Sequence, residues 1–148
     1  MVREQLNDFL SEIFNSILKL EAKAVNELGS DSLSISELHL IEKIGRNNEL
    51  RMSDLAKALD ITLGTLTVSV DRLEKKGCIS RRRIENDRRV VLIKLTPKGA
   101  AAYRLHEIFH TRMVEAIVEG LTPLEEKTLT KSLGNLASYF RSLEKQQK

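Results

Sequence analysis

The chain has few of the features that mark secreted and membrane proteins. It has one cysteine, Cys78, among its 148 residues, so no disulfide can form within the chain. No apolar run approaches the roughly 20 residues that a helix needs to cross a bilayer. The start "MVREQLNDFL" lacks the uninterrupted apolar core of a secretory signal. These absences predict a protein of the cytoplasm without a membrane partner.

Motifs of catalysis are missing as well. The sequence has no glycine-rich phosphate loop, no local Ser-His-Asp or Cys-His motif and no paired-carboxylate signature. Charged residues make up 30% of the chain and the hydrophobic set 41%, which is typical of a soluble helical protein rather than a disordered one. We therefore expect a folded protein that is not an enzyme and has no resident cofactor.

The net charge of +3 conceals an uneven distribution. Residues 72–98 carry ten Lys and Arg against three acids, a balance of +7, which leaves −4 for the rest of the chain. A basic segment on an otherwise acidic chain is typical of a protein that binds a polyanion. A basic face that is merely solvated is the alternative.

The spacing of apolar residues and the capping signals predict six helices. Apolar side chains from Leu6 onwards recur every three or four residues, so a long amphipathic helix is expected over 6–28, with a break at 29–32. The other five predicted helices begin at Ser34 with Glu37, at Ser53, at Thr62, at Thr96-Pro97, and at Thr122-Pro123 with Glu125.

Two strand-like runs, "CISRRRI" and "VVLIKL", are joined by the turn-forming "ENDR" and predict a β-hairpin. Helix, helix, short helix, turn, helix and hairpin is the order of a winged helix-turn-helix domain. We expect a mainly α fold in which 33–96 form this DNA-binding region. Residues 1–32 and 97–148 are expected to form a helical dimerisation region, with a seam at Leu129, Leu133, Leu136, Phe140 and Leu143. A coiled-coil adaptor is the alternative, but it leaves the basic segment unexplained.

The helix predicted from Leu63 to Lys76 has two different faces. An apolar stripe is expected to pack against the core, namely Leu63, Leu66, Val70 and Leu73. The other face combines hydroxyls, a small apolar group and an arginine, which suit base edges in a major groove. Its predicted DNA-binding residues are Thr62, Thr65, Val68, Ser69 and Arg72. Gly64 permits close approach of the helix N-terminus to a phosphate. An ordinary solvated face is the alternative.

The predicted hairpin tip carries Asp87, Arg88 and Arg89. A narrow minor groove concentrates negative potential and attracts arginine, so the two arginines are expected to contact DNA there. Asp87 is expected to accept hydrogen bonds from a neighbouring arginine and to fix its direction. A soluble turn without a partner is the alternative.

The stretch "ITLGTLTVSVDRLEKKGCISRRRIENDRRVVLIKLTPKG" resembles the recognition helix and wing of MarR-type transcription regulators. The most specific part is the Asp-x-Arg element at Asp87 and Arg89, followed by Leu95-Thr96. The resemblance covers nearly the whole chain, including both dimerising ends. It implies a repressor that acts as a homodimer, with two recognition helices in successive major grooves of a palindromic operator.

Within that family, "IFNSIL", "ISELHLIEKIG" and "RLHEIFHTRMVEAI" are most similar to the regulator of bacterial fatty-acid synthesis genes. This resemblance implies an effector, a long-chain acyl group delivered on acyl carrier protein, that tightens DNA binding. Apolar side chains that face the expected junction of helices would line its tunnel: Phe14, Ile17, Leu18, Ile41, Phe109, Met113 and Ile117. A solid core is the alternative.

Histidines suggest a competing effector. His106 and His110 are four residues apart, so both rings share one face of a helix and could hold one metal ion. Together with Glu21 and His39 they resemble the sensory site of zinc-responsive MarR regulators, and such a donor set suits zinc. Partly buried polar histidines are the alternative. Cys78 follows two lysines and could be redox-active, or it could pack as a small apolar residue.

Overall fold

A computed structural model describes residues 1–26, 33–85 and 87–146, and these form six helices and a three-stranded sheet. The helices are α1 (Val2–Asn26), α2 (Ile35–Gly45), α3 (Met52–Leu59), α4 (Leu63–Lys75), α5 (Pro97–Val118) and α6 (Pro123–Gln146). The strands are β1 (Glu49–Arg51), β2 (Ile79–Ile84) and β3 (Asp87–Leu95). The mainly α fold with a small β-wing is confirmed. The helix break expected at 29–32 lies outside the described residues.

The chain divides into two compact units, Met1–His110 and Thr111–Lys148. The first unit holds the whole described sheet and the helices that pack against it. No helix in the described part of the chain is long and apolar enough to cross a membrane.

Capping hydrogen bonds explain where two of the helices begin. At α2, the Glu37 N–H donates to Ser34 Oγ at 3.3 Å, and the Ser34 N–H donates to Glu37 Oε2 at 2.8 Å. At α6, the Thr122 N–H donates to Glu125 Oε2 at 2.8 Å, and the Glu125 N–H donates to Thr122 Oγ1 at 3.4 Å. Both capping boxes were predicted from their three-residue spacing.

The start of α3 differs from the prediction. The helix begins at Met52 with Arg51 as its N-cap, and no side chain accepts a capping hydrogen bond there. Ser53 is therefore inside the helix and does not open it. The reason is that Arg51 also ends β1, so the backbone passes from strand to helix without a connecting turn.

The core lies where α2, α3 and α4 meet the sheet. Its largest fully buried side chains are Leu38, Ile41, Ile44, Leu55, Leu66, Val70, Leu73 and Ile93. Burying each such side chain contributes roughly 1.5–3 kcal/mol relative to leaving it in water. Leu63 was expected to join this stripe, but 52% of its surface is exposed. It is the first residue of α4, one turn beyond the part of the helix that reaches the core.

The sheet has the order β1-β3-β2 with antiparallel pairing, so β3 has a partner on each side. Leu50 and Arg81 both pair with Ile93, from opposite edges. The sequence predicted only the β2–β3 hairpin, because three residues of β1 are too few to show alternation. Strand β1, which lies between α2 and α3 in the chain, thus pairs with β3 at the base of the wing.

A close backbone contact joins the start of α5 to the end of α4. A Cβ on Gly99 would lie 1.9 Å from the carbonyl oxygen of Cys78, so only glycine fits there. Thr96 Oγ1 donates to the carbonyl of Gly77 at 2.6 Å and accepts the Gly99 N–H at 3.2 Å. Cys78 itself is 1% exposed and packs in the core, as the apolar alternative expects.

Candidate nucleic-acid interface

Helix α4 presents one face to the core and another to solvent, as its sequence predicted. Leu66, Val70 and Leu73 have no exposed surface. Thr65, Val68 and Arg72 are exposed, and Ser69 is half-buried. The exposed face therefore offers hydroxyls, the apolar Val68 and a guanidinium group to a ligand, which is the chemistry that base edges require.

The N-terminus of α4 is held by its own side chains. Thr62 Oγ1 accepts the N–H of Thr65 at 3.1 Å and lies 2.9 Å from the Thr65 hydroxyl. A Cβ on Gly64 would lie 3.8 Å from Thr62 Oγ1, so the glycine is not required by packing within the protein. The Thr62 hydroxyl is thus partly committed to capping, while the surface at Gly64 stays open.

The second strand of the wing begins earlier in the chain than predicted. Asp87, expected in the turn, is the first residue of β3, where it pairs with Ile84 of β2. The next pair is Arg83 with Val91, so residues 88–90 have no counterpart on β2. This irregularity turns the strand locally, as β-bulges do. Arg89 lies in it and is exposed, whereas the side chain of Arg88 lies outside what the structure describes.

Asp87 accepts a hydrogen bond from a neighbouring arginine, as predicted, but the donor is the main chain. The Arg89 N–H donates to Asp87 Oδ1 at 3.0 Å. The carboxylate therefore fixes the backbone from which the Arg89 side chain leaves, rather than the guanidinium group. The effect on the direction of Arg89 is indirect.

Ion pairs attach the wing to its neighbours. Arg81 Nη2 of β2 pairs with Asp71 of α4, and its Nε lies 3.6 Å from Glu74 Oε2. Arg82 donates from Nε and Nη2 to the two carboxylate oxygens of Glu49, each at 2.8 Å. These hydrogen bonds hold the pKa of Glu49 below its ordinary value. The sequence did not reveal these pairs, because the partners are far apart along the chain.

The C-terminal end of α4 is attached to α2. Lys76 Nζ donates to both carboxylate oxygens of Glu37, at 2.9 and 2.7 Å. Burial of Glu37 raises its pKa, but hydrogen bonds from Lys76 and Ser34 outweigh this, so the pKa lies below the ordinary value. The pair therefore links the end of α4 to the first turn of α2.

Comparisons with known proteins agree with this geometry. The model of the MarR family matches residues 33–91. The transcriptional regulator BilQ of Clostridium symbiosum is 30% identical over 88% of this chain and 92% of its own length. The chain belongs to the MarR family. It is therefore a winged helix-turn-helix transcription regulator that binds DNA, and not an enzyme.

Two solved structures of MarR-family proteins with DNA are similar to this one. FabT of Streptococcus pneumoniae, in complex with DNA, is 42% identical, with a TM-score of 0.80 over 95% of this chain and 99% of that chain. A cysteine-to-serine mutant of Escherichia coli MarR, complexed with operator DNA, is 28% identical, with a TM-score of 0.57 over 86% of this chain and 92% of that chain. From the sequence, the exposed face of α4 and the wing are the elements of this chain expected to contact DNA.

In this MarR regulator the predicted zinc ligands lie together. Glu21 and His106 are each 2% exposed. Glu21 Oε1 lies 2.8 Å from His106 Nδ1, 3.3 Å from His110 Nε2 and 3.9 Å from His39 Nε2. The other nitrogen of His106 faces Glu42 Oε2 at 3.4 Å. The cluster thus joins α1, α2 and α5 around one buried carboxylate.

The predicted acyl-tunnel residues have different environments. Ile41 is fully buried in the core, whereas Phe14 and Leu18 of α1 are 58% and 40% exposed. Ile17 and Phe109 are half-buried, and the Phe109 ring lies 5.5 Å from that of His110. Met113 and Ile117 belong to the second compact unit. Phe14, Ile17 and Leu18 lie on the same helix as Glu21, and Phe109 directly precedes His110, so apolar side chains that are not fully buried adjoin the histidine cluster along α1 and α5.

Proposed function

We propose that the protein represses genes of fatty-acid biosynthesis. It acts as a homodimer on a palindromic operator, and a long-chain acyl group on acyl carrier protein strengthens its binding to DNA. The observation that carries this proposal is the 42% identity to FabT over 95% of the chain. The sequence segments that resemble the fatty-acid regulator come from α1, α2 and α5, which are the elements around the apolar surface and the histidine cluster.

An exposed apolar helix face supports both parts of the proposal. Apolar side chains of α1 that are 40–58% exposed are Leu6, Phe9, Leu10, Ile13, Phe14, Leu18 and Leu20. A solvated helix does not maintain such a surface without a partner. A second copy of the chain covers part of it in the proposed dimer, and an acyl chain covers the part nearest Glu21, at Phe14 and Leu18.

The free energy gained by burying an acyl chain is large enough to change operator affinity. Each buried methylene contributes roughly 0.8 kcal/mol, so a long chain supplies several kcal/mol. About 5.5 kcal/mol of differential binding moves a two-state equilibrium from 1:99 to 99:1. An acyl chain that binds better to the DNA-competent spacing of the two recognition helices therefore changes operator affinity strongly.

The test measures operator affinity against acyl chain length. A duplex selected by the protein from random sequences is titrated in the presence of acyl carrier protein that carries no chain, a short chain or a long chain. We expect the Kd to fall only with acylated carrier protein, and to fall further as the chain lengthens. Equal affinities across the series would overturn the acyl proposal.

Zinc is the second candidate effector, and one observation favours it. Ligand atoms of Glu21, His106 and His110 all lie within 4.8 Å of one another. His106 Nδ1 is buried. It lies 2.8 Å from Glu21 Oε1, but it has no hydrogen-bond partner among the described residues. Nitrogen and carboxylate donors in such a group fit zinc, which these residues would hold as a tether between α1 and α5.

The same titration separates the two effectors. It is repeated at controlled free zinc with the wild type and with the double variant His106→Ala/His110→Ala. A zinc response that the double variant abolishes, together with no response to acyl chains, would assign the site to zinc. An acyl response that persists in zinc-free buffer supports the fatty-acid regulator.

A further inference from the structure

A cationic groove separates the recognition helix from the wing. It has a volume of about 470 Å³ and lies between the first turns of α3 and α4 and the strands β2 and β3. Five arginines line it: Arg51, Arg81, Arg82, Arg83 and Arg89. Leu63, which does not pack in the core, lines it together with Thr67. We call this surface the arginine groove.

The five arginines fall into two groups. Arg81 and Arg82 are held by carboxylates of α4 and β1. The other three, Arg51, Arg83 and Arg89, are exposed, and their guanidinium groups have no ion pair within residues 1–26, 33–85 and 87–146. Three positive charges therefore converge on one groove without an acidic partner in the described parts of the protein, and this arrangement suits an anionic ligand.

The geometry of duplex DNA identifies that ligand. A recognition helix lies in the major groove, and an arginine of the wing lies in the adjacent minor groove. The two grooves of a duplex are separated by one sugar–phosphate strand. That strand must pass between α4 and the wing, which is where the arginine groove lies.

We propose that the arginine groove binds the backbone phosphates of this strand, with Arg83 and Arg51 as positioning residues. The α4 face and Arg89 were assigned to DNA from the sequence, whereas Arg51 and Arg83 were not. Their contacts are independent of base sequence, because phosphates are present at every step. They set the depth and register at which α4 enters the major groove. The inference requires DNA binding but neither of the proposed effectors.

Arg81 and Arg82 have a different role. Arg81 joins α4 to β2, and Arg82 joins β2 to Glu49 across β3. Their charges are already compensated within the protein, so they release few counterions from DNA. They hold the two walls of the groove in place, while the unpaired arginines supply its charge.

The experiment measures how affinity for a duplex of mixed sequence depends on salt. Each neutralised phosphate of B-DNA contributes about 0.9 to the slope of log K against log salt. We expect Arg83→Gln and Arg51→Gln each to reduce this slope by about one per bound protomer. Arg83→Lys, which keeps the charge, should restore most of the slope.

Two control variants alter charged residues that are not expected to bind phosphate. Arg104→Gln removes one positive charge from an exposed position of α5 outside the groove, and we expect a slope close to that of the wild type. The double variant Arg82→Gln/Glu49→Gln removes an ion pair at constant net charge, and we expect it to keep the slope even if affinity falls. Thermal unfolding of every variant shows whether the fold is intact.

Two results would overturn the inference. One is a slope for folded Arg83→Gln and Arg51→Gln that is no lower than that of Arg104→Gln. The other is an equal loss of slope in the Arg82/Glu49 double variant, which would mean that paired and unpaired arginines contribute alike. Since the wild type binds DNA in either case, neither result depends on whether acyl chains or zinc act as effector.

Discussion

Glu37 has two roles that involve different parts of the chain. Its carboxylate caps α2 by accepting the N–H of Ser34, and it also accepts both hydrogen bonds from Lys76 at the end of the recognition helix. Glu37 is 7% exposed, so these bonds are made where water competes poorly. A single ionised side chain therefore fixes one end of α2 and one end of α4 together.

At the scale of the residue, the first prediction concerns how the stability of the fold depends on pH. Because the folded-state pKa of Glu37 lies below 4.5, its contribution to stability is fully present above about pH 5 and is lost as the pH falls through the folded-state pKa. Glu37→Gln should lower the free energy of unfolding at pH 7 by roughly 1.5–3 kcal/mol and should flatten its decline as the pH falls below about 5. Urea unfolding at fixed protein concentration measures both.

Glu115→Gln is the matched control, since it changes an exposed glutamate of α5. It should leave the stability at pH 7 within about 0.5 kcal/mol of the wild type. A Glu37→Gln protein with unchanged stability at pH 7 would show that Lys76 gains nothing from its partner.

Single residues also show what the sequence can reveal. The Ser34–Glu37 box was predicted because its two members are three residues apart, and a capping box requires that spacing. The Lys76 partner was not predicted, since 39 residues separate it from Glu37 and only the folded chain brings them together. The paired state of Arg81 and Arg82 was missed for the same reason, although the run of three arginines was visible.

At the scale of elements, the recognition helix and the wing should differ in what they contribute to binding. Arg72 is exposed on the α4 face and Arg89 on the irregular part of β3. Arg72→Ala should change the preferred operator, with about 1–3 kcal/mol of discrimination lost at one base pair if the side chain contacts a base. Arg89→Ala should weaken binding to all duplexes, most strongly to those with a narrow minor groove.

Selection of bound sequences from a random library, followed by Kd measurements on individual duplexes, distinguishes these effects. Lys131→Gln is the control for loss of one charge, since it changes an exposed residue of α6. The assignment of the wing is wrong if Arg89→Ala binds every tested duplex as tightly as the wild type.

The elements themselves were predicted unevenly. Long helices with apolar periodicity or capping boxes were found because the signals are local and repeated. Helices α2 and α6 begin where their capping boxes predicted, whereas α1 begins at Val2, four residues before its predicted start. Strand β1 was missed because three residues cannot show a period of two, and its pairing with β3 involves residues about 40 positions away. Leu63 was misplaced because periodicity alone extends an apolar stripe to the first residue of a helix, whereas the buried stripe begins one turn later, at Leu66.

At the scale of the whole molecule, the exposed apolar side chains of the terminal helices indicate how the protein assembles. Helix α1 exposes eight large apolar side chains, Val2 among them, and α6 exposes Leu133, Tyr139 and Phe140 at 48%, 57% and 47%. Patches of this kind on a soluble protein mark surfaces for a partner. The winged core has no need of them, since its own apolar side chains are already buried within the first unit.

The last prediction is that these helices form the homodimer. Leu133→Asp/Leu136→Asp places two charges in the apolar seam of α6, at an expected cost of several kcal/mol. Dimer dissociation should shift to higher protein concentration, and DNA affinity should fall with it because a two-site contact becomes a one-site contact. Ser138→Asp/Ser142→Asp adds the same charge to the opposite face of α6 and should leave both quantities near wild type. Sedimentation and DNA titration measure them together, and a folded monomeric Leu133/Leu136 variant that retains wild-type operator affinity would contradict the dimeric mode of binding.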